Sequence, residues 1–296
     1  MPSAEYLKLE EKVWANRPRG EQSLEERRAF MAKTGAMFRL ADDVTCTRVD
    51  VNGVPGEWIA TPGVATDKVL LYLHGGGYVM GAIDTHREMI SRLVRAGGLR
   101  ALAIDYRLAP EHPFPAGLDD AVTAYRWLLG QGLAPGRIAV GGDSAGGGLA
   151  LGLLLALKQA GEPQPGAAVL LSPWADLTVS GSTVATKAKL DCMVDAAALD
   201  MFSRMYIGNE DPRNPLASPL FGDPAGLPPL LFQVGTHEIL LDDALRMAER
   251  ARAAGVEVTL ERGEGLMHVW QWFAPMIPEG REAIERIGAF LKGRIA

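Results

Sequence analysis

Residues 137–159 read RIAVGGDSAGGGLALGLLLALKQ, and no other segment is as informative about the architecture. An apolar run suited to a buried β-strand (137–141) leads into GDSAG at 142–146, and a helix-like run follows at 149–159. A strand, a tight Gly-x-Ser-x-Gly turn and a helix in this order raise the serine hydroxyl above the sheet. The helix N-terminus beside it favours a developing negative charge. The pattern therefore predicts that Ser144 is a nucleophile.

Outward from this turn, short apolar strands alternate with helical segments, which predicts a mostly parallel sheet with helices on both faces. The predicted strands cover residues 69–73, 99–104, 137–141, 168–171, 230–234 and 256–260. Asn52-Gly53 between two β-prone runs predicts a hairpin, so antiparallel strands are expected at one edge. Residues 176–228 interrupt this alternation of strands and helices, and an insertion of this length is typical of a lid or cap.

Composition excludes several classes of protein. The chain has 296 residues and a formal net charge of -6, and phosphate binding would need a basic face, so we expect no nucleic-acid partner. Cys46 and Cys192 are too few for a disulfide framework or a cysteine metal site and are expected to be free thiols. Neither a signal peptide nor a membrane span is recognisable, so the expected location is the cytoplasm, with no stable membrane association.

A glycine-rich loop follows the predicted strand at 69–73. In His74-Gly75-Gly76-Gly77, successive backbone N–H groups are free of neighbouring Cβ atoms. The N–H groups of Gly75 and Gly76, with that of Ala145, are the predicted donors to the oxyanion of a tetrahedral intermediate. A phosphate-binding loop is the alternative, but neither Gly-x-Gly-x-x-Gly nor a terminal Lys-Ser/Thr is present.

These motifs together resemble the hormone-sensitive-lipase family, also called bacterial family IV esterases. The resemblance rests on HGGG at 74–77, DYRLAPEHPFPA at 105–116, GDSAGG at 142–147 and GLMH at 265–268. It implies an α/β-hydrolase fold with a helical cap over the active site. It also implies an enzyme that hydrolyses carboxylic esters of small substrates without a cofactor. The cap would comprise residues 1–42 and the insertion at about 176–228, and the catalytic domain would span residues 43–296.

The general base is predicted by the order of the residues. In this type of hydrolase the order is serine, acid, histidine, and only two of the five histidines, His237 and His268, follow Ser144. His268 lies in a loop after the last predicted strand, which matches the family's position for the base. His237 leaves no room for an intervening acid.

The acid is expected in the loop after the strand at 230–234. Glu238 stands where the family often has Asp, and it would hold the imidazole of the base in the correct tautomer. Asp242 is the alternative, although its position at the start of a helix suits a capping role. Asp143, beside the nucleophile, is interpreted as a residue that fixes the loop.

The sequence thus predicts a serine carboxylesterase for short-chain esters, because the two cap segments would close the acyl pocket. No cluster of His, Cys and carboxylates has metal-ligand spacing, so neither a metal nor a cofactor is expected. A lactone, amide or drug-ester hydrolase remains an alternative within the same chemistry. A ligand receptor on the same scaffold and a long-chain interfacial lipase are less favoured. The resemblance also implies a homodimer as a common assembly.

Overall fold

The computed structural model describes residues 1–17 and 22–295; positions 18–21 of the predicted segment 1–42, and position 296, lie outside the described residues. The chain forms an eight-stranded sheet in the order β1-β2-β4-β3-β5-β6-β7-β8. The strands are β1 (Thr45–Val51), β2 (Val54–Ala60), β3 (Ala65–Leu73), β4 (Leu99–Ile104), β5 (Ile138–Asp143), β6 (Ala167–Leu171), β7 (Leu230–Gly235) and β8 (Val258–Gly263).

The first two strands form the antiparallel edge. They are joined at Asn52-Gly53, and both of these residues have positive φ, as a two-residue hairpin turn of this type requires. Strand β2 pairs antiparallel with β4, and all pairs from β4 to β8 are parallel. The predicted α/β architecture with a mostly parallel sheet is confirmed.

Helices cover both faces of the sheet. They are α1 (Ala4–Asn16), α2 (Leu24–Gly35), α3 (Ile83–Gly97), α4 (Ala116–Gly130), α5 (Ala145–Gln159), α6 (Thr183–Thr186), α7 (Ala196–Ile207), α8 (Leu241–Ala253) and α9 (Pro278–Arg294). Alternate residues of each strand point to opposite faces, so Leu71 and Leu73 of β3 join the core with α4, α5 and α8, whereas Leu70 and Tyr72 join the core with α3 and α9.

The two predicted cap segments pack differently. Tyr6 and Leu9 of α1 are buried in the core that contains α9, and Ser3 donates a hydrogen bond from its hydroxyl to Glu279 of α9. Helix α7, within the insertion, buries Phe202 and Tyr206 in the opposite core. Both segments are therefore continuous with the packing around the sheet. No helix in the described ranges is both long and apolar enough to span a membrane.

Candidate active site

The serine of the GDSAG motif lies in the turn between β5 and α5. Ser144 has φ 53° and ψ −121°, a sparsely populated conformation that persists only where surrounding contacts enforce it. The Ser144 N–H donates to the carbonyl of Leu171, and the Ser144 carbonyl accepts from the N–H of Trp174. At Gly146 a Cβ would lie 2.0 Å from the carbonyl oxygen of Leu73. Only glycine permits this close packing of the helix start against β3.

Ser144 lines a cavity of about 230 Å³. The core of the fold contributes Asp143, Ser144, Trp174, His268 and other residues, while the N-terminal segment and the insertion supply the opposite walls. From those two segments, the lining residues are Arg17, Gln22, Arg27, Phe30, Met31, Met193, Val194, Asp195, Ala198, Leu199 and Phe202. The cavity therefore has a mostly apolar roof, which comes from the same two segments that the sequence predicts as a cap.

His268 and Glu238 form a buried pair. The Nδ1 atom of His268 is 3.2 Å from Oε1 of Glu238, and the exposed fractions of the two residues are 5% and 0%. A carboxylate can only accept a hydrogen bond, so Nδ1 carries the proton and Nε2 is left as the basic nitrogen. Because His268 and Ser144 line the same cavity, the structure brings together the three residues predicted from the sequence.

The environment of His268 makes it a stronger base. Burial by itself lowers the pKa of the imidazole, but the charge and hydrogen bond of Glu238 outweigh burial, with further help from Asp191 and Asp143. The net effect is a pKa above the ordinary value for histidine.

The carboxylate of Glu238 is held from its other side. Its Oε2 atom accepts hydrogen bonds from the N–H of Gly235 (2.9 Å) and from the hydroxyl of Ser172 (2.8 Å). The Ser172 hydroxyl also accepts from the N–H of Val269, directly after the histidine. Ser172 thus joins the loop at 236–240, called the acid loop because it carries the predicted acid Glu238, to the loop of His268 and Val269. It has no recognisable motif, and sequence reasoning missed it.

The alternative acid has a different task. The Oδ2 atom of Asp242 accepts from the hydroxyl of Ser182 (2.7 Å) and the N–H of Thr183 (3.2 Å). Both donors belong to the insertion. Asp242 is therefore engaged in holding the insertion on α8, and its described contacts do not include His268.

The three glycines of the HGGG loop have different surroundings. The N–H of Gly75, a predicted oxyanion donor, already donates to Oδ1 of Asp143 at 3.1 Å. Gly76 and Gly77 line the cavity instead, at φ values of 123° and 64°. The third predicted donor, Ala145, is the first residue of α5, where the backbone N–H has no partner within the helix.

Asp143 is the centre of a buried network under this loop. Besides Gly75, its carboxylate accepts from the hydroxyl of Tyr72 (2.8 Å), and it lies 3.3 Å from Nε2 of His86. Burial lowers the pKa of His74 to about 4, so that ring is neutral; its Nδ1 lies 2.8 Å from the carbonyl oxygen of Gly75. The interpretation of Asp143 as a loop-fixing residue agrees with these contacts.

The DYRLAPEHPFPA motif braces the loop from outside. The hydroxyl of Tyr106 donates to the carbonyl of His74 (2.8 Å). Arg28 of α2 pairs with Glu111 (2.7 Å) and also donates to the carbonyl of Val79 (2.7 Å). The guanidinium of Arg28 thus fastens the N-terminal segment to the chain just after Gly76 and Gly77.

The remaining candidates lie outside this arrangement. His237 is partly exposed and 3.9 Å from Glu10. Cys46 and Cys192 are free thiols. Over residues 1–17 and 22–295, no group of three His, Cys, Asp or Glu side chains has a geometry that could hold a metal ion.

Comparison with known proteins finds hydrolases that are similar to this chain. The profile of a family described as having the alpha/beta hydrolase fold matches residues 70–272. An acetyl-hydrolase of Streptomyces hygroscopicus is 49% identical over 82% of this chain and 81% of its own length. An esterase of Acinetobacter venetianus is 38% identical over 80% and 78%. The crystal structure of an esterase from the bacterial hormone-sensitive lipase family superposes with a TM-score of 0.97 and 48% identity, covering 100% of both chains.

Proposed function

This chain belongs to the hormone-sensitive-lipase family of α/β-hydrolases and is a carboxylic ester hydrolase, and we propose that it cleaves short-chain esters through an acyl-enzyme formed on Ser144. His268 is the general base and Glu238 the acid that orients it. The observation that carries the proposal is the buried contact between Nδ1 of His268 and Oε1 of Glu238, in the cavity that also contains Ser144.

The chemistry follows from these positions. Nε2 of His268 takes the proton of Ser144 as the serine oxygen attacks the ester carbonyl, and Glu238 stabilises the imidazolium. The alcohol then leaves with the proton from His268. A water molecule, activated by the same nitrogen, releases the carboxylic acid and restores the serine.

The N–H groups of Gly76, Gly77 and Ala145 would donate hydrogen bonds to the negatively charged oxygen of the tetrahedral intermediates. Gly77 takes the place predicted for Gly75, because the N–H of Gly75 is bound to Asp143. Donors of this kind typically contribute about 3 kcal/mol each to the transition state.

The preference for short acyl chains rests on the roof of the cavity. Each methylene that fits contributes about 0.8 kcal/mol of burial, but further methylenes must displace packed side chains such as Phe202 and Leu199, which line the cavity and belong to the core. The acetyl-hydrolase relative supports the same preference.

A graded series of p-nitrophenyl esters, from acetate to palmitate, tests this proposal. We expect kcat/KM to reach its maximum among the short acyl chains and to fall steeply before palmitate, with Ser144→Ala as the inactive control. A profile that keeps rising to palmitate, with activation at a lipid interface, would show that the roof does not bound the site.

A further inference from the structure

Asp191 is a buried carboxylate in the insertion, in the segment between α6 and α7. Its exposed fraction is 0%. The Oδ1 atom accepts from the N–H groups of Met193 and Val194, both at 2.8 Å, and closes a turn within the insertion. The Oδ2 atom accepts from the N–H of Ile239, also at 2.8 Å. A single side chain thus connects the insertion to the residue that follows Glu238.

The insertion holds Ile239 at both of its main-chain groups. Asp191 binds its N–H, and the hydroxyl of Thr183 donates to its carbonyl at 2.8 Å. The peptide between Glu238 and Ile239 cannot rotate without breaking the bond to Asp191. The backbone direction from which the Glu238 side chain approaches His268 is therefore set partly by the insertion.

A charged carboxylate is energetically unfavourable at this buried position. Burying a charge is unfavourable unless hydrogen bonds compensate for it, and the described ion pairs of the chain include no cation paired with the Asp191 side chain. Arg17, which is close by, donates to its main-chain carbonyl instead. The compensation comes from three backbone N–H groups, and one of these belongs to the acid loop.

Two of the charged groups that act on Asp191, His268 and Glu238, belong to the proposed catalytic machinery. Burial raises the pKa of Asp191, His268 lowers it, and Glu238 raises it further. In return, Asp191 is one of the groups that raise the pKa of His268, after Glu238 and before Asp143. The side chain is thus coupled to the acid and the base as well as to the backbone of their loop.

We propose that Asp191 is a positioning residue for ester hydrolysis: its carboxylate fixes the Glu238–Ile239 peptide so that Glu238 faces Nδ1 of His268. This inference rests on the assignment of Glu238 as the acid. It makes the insertion a part of the catalytic apparatus in addition to its role as a wall of the cavity.

Asp191→Asn, measured in the native background and in Glu238→Gln, tests the proposal. In the native background kcat should fall by about 10²-fold, the scale for a small misplacement of a catalytic group, while KM stays nearly constant. The acidic limb of the kcat/KM profile should move to lower pH. In the Glu238→Gln background the same substitution should change kcat by less than about twofold, because residues that act through one another are not additive.

Asp211→Asn is the matched control. Asp211 lies in the same insertion and accepts a similar hydrogen bond, from the N–H of Arg213 two residues later, but it is exposed and its described hydrogen bonds stay within the insertion. Its substitution should leave kcat and the pH profile unchanged.

Two results would overturn the proposal: an unchanged kcat in Asp191→Asn, or an equal loss in both backgrounds. If Glu238→Gln itself keeps full activity, the acid assignment fails instead, so the two failures are distinguishable. Hydrogen exchange of the unsubstituted protein gives a test that needs no folded variant. The Ile239 amide should exchange slowly together with that of Val194, and rapid exchange at Ile239 alone would contradict the link.

Discussion

Replacing Glu238 by Gln changes the acid without changing its size. The Oε2 position faces two donors, the N–H of Gly235 and the hydroxyl of Ser172. The amide NH2 of Gln cannot face the Gly235 N–H, so the amide oxygen takes this position and the NH2 group faces Nδ1 of His268. Nδ1 must then accept, which moves the imidazole proton to Nε2 and leaves no base for Ser144.

The geometry of the pair gives the size of the effect. The two groups are 3.2 Å apart and almost completely buried. With an effective dielectric constant of about 20, unit charges at this distance attract by about 5 kcal/mol. Since about 1.4 kcal/mol corresponds to a tenfold change in rate, loss of this attraction predicts a fall in kcat of roughly 10³- to 10⁴-fold. A wrong tautomer in a serine triad typically costs about 10⁴-fold.

Steady-state hydrolysis of p-nitrophenyl butyrate, with thermal unfolding to verify the fold, measures this effect. KM should change little, because Glu238 is buried behind His268. Asp242→Asn is the control and should lower kcat by less than about tenfold, since Asp242 binds Ser182 and Thr183. A larger loss in Asp242→Asn than in Glu238→Gln would instead assign the role of the acid to Asp242.

Two further predictions concern pH and the cavity wall. His268 must be neutral to act, and Glu238 raises its pKa despite burial, so kcat/KM should rise with pH through a value above about 6.5 and then level off; a limb below that value would contradict it. Because the pKa of His268 is higher in the folded protein than in the unfolded chain, protonation of His268 stabilises the fold. This stabilisation is complete below about pH 6.5 and is lost as the pH rises through the raised pKa. Phe202→Ala, which removes a ring from the wall beside Gly77, should shift the ester preference to longer acyl chains. Phe221→Ala, in the same insertion but outside the cavity lining, should leave the preference unchanged, and equal profiles for both variants would exclude Phe202 as a chain-length determinant.

Local patterns were sufficient to predict most of the fold. Asn52-Gly53 specifies a hairpin because both positions need positive φ, and the GDSAG turn fixes where β5 ends and α5 begins. The sequence predicts a strand from residue 256, but β8 begins two residues further along, at Val258. The N–H of Val256 instead donates to the carbonyl of Ala251 and closes the end of α8.

Site residues are predictable from the sequence only where they belong to a recognisable motif. Ser144, Glu238 and His268 lie in recognisable loops. The N–H of Gly75 is bound by Asp143, 68 residues away, and a glycine run does not reveal which of its N–H groups are occupied. Ser172 and Asp191 were missed for a related reason: their roles come from long-range hydrogen bonds, and neither stands in a motif.

Covalent labelling of the active-site serine is the decisive test of Ser144 as the nucleophile. Diethyl p-nitrophenyl phosphate should react with the protein, releasing p-nitrophenolate in step with the loss of esterase activity, and mass spectrometry of the digested protein should find the diethylphosphoryl group on Ser144. Ser144→Ala should show neither the release nor the adduct. Inactivation with the adduct on another residue, or full activity after Ser144 is labelled, would contradict the account.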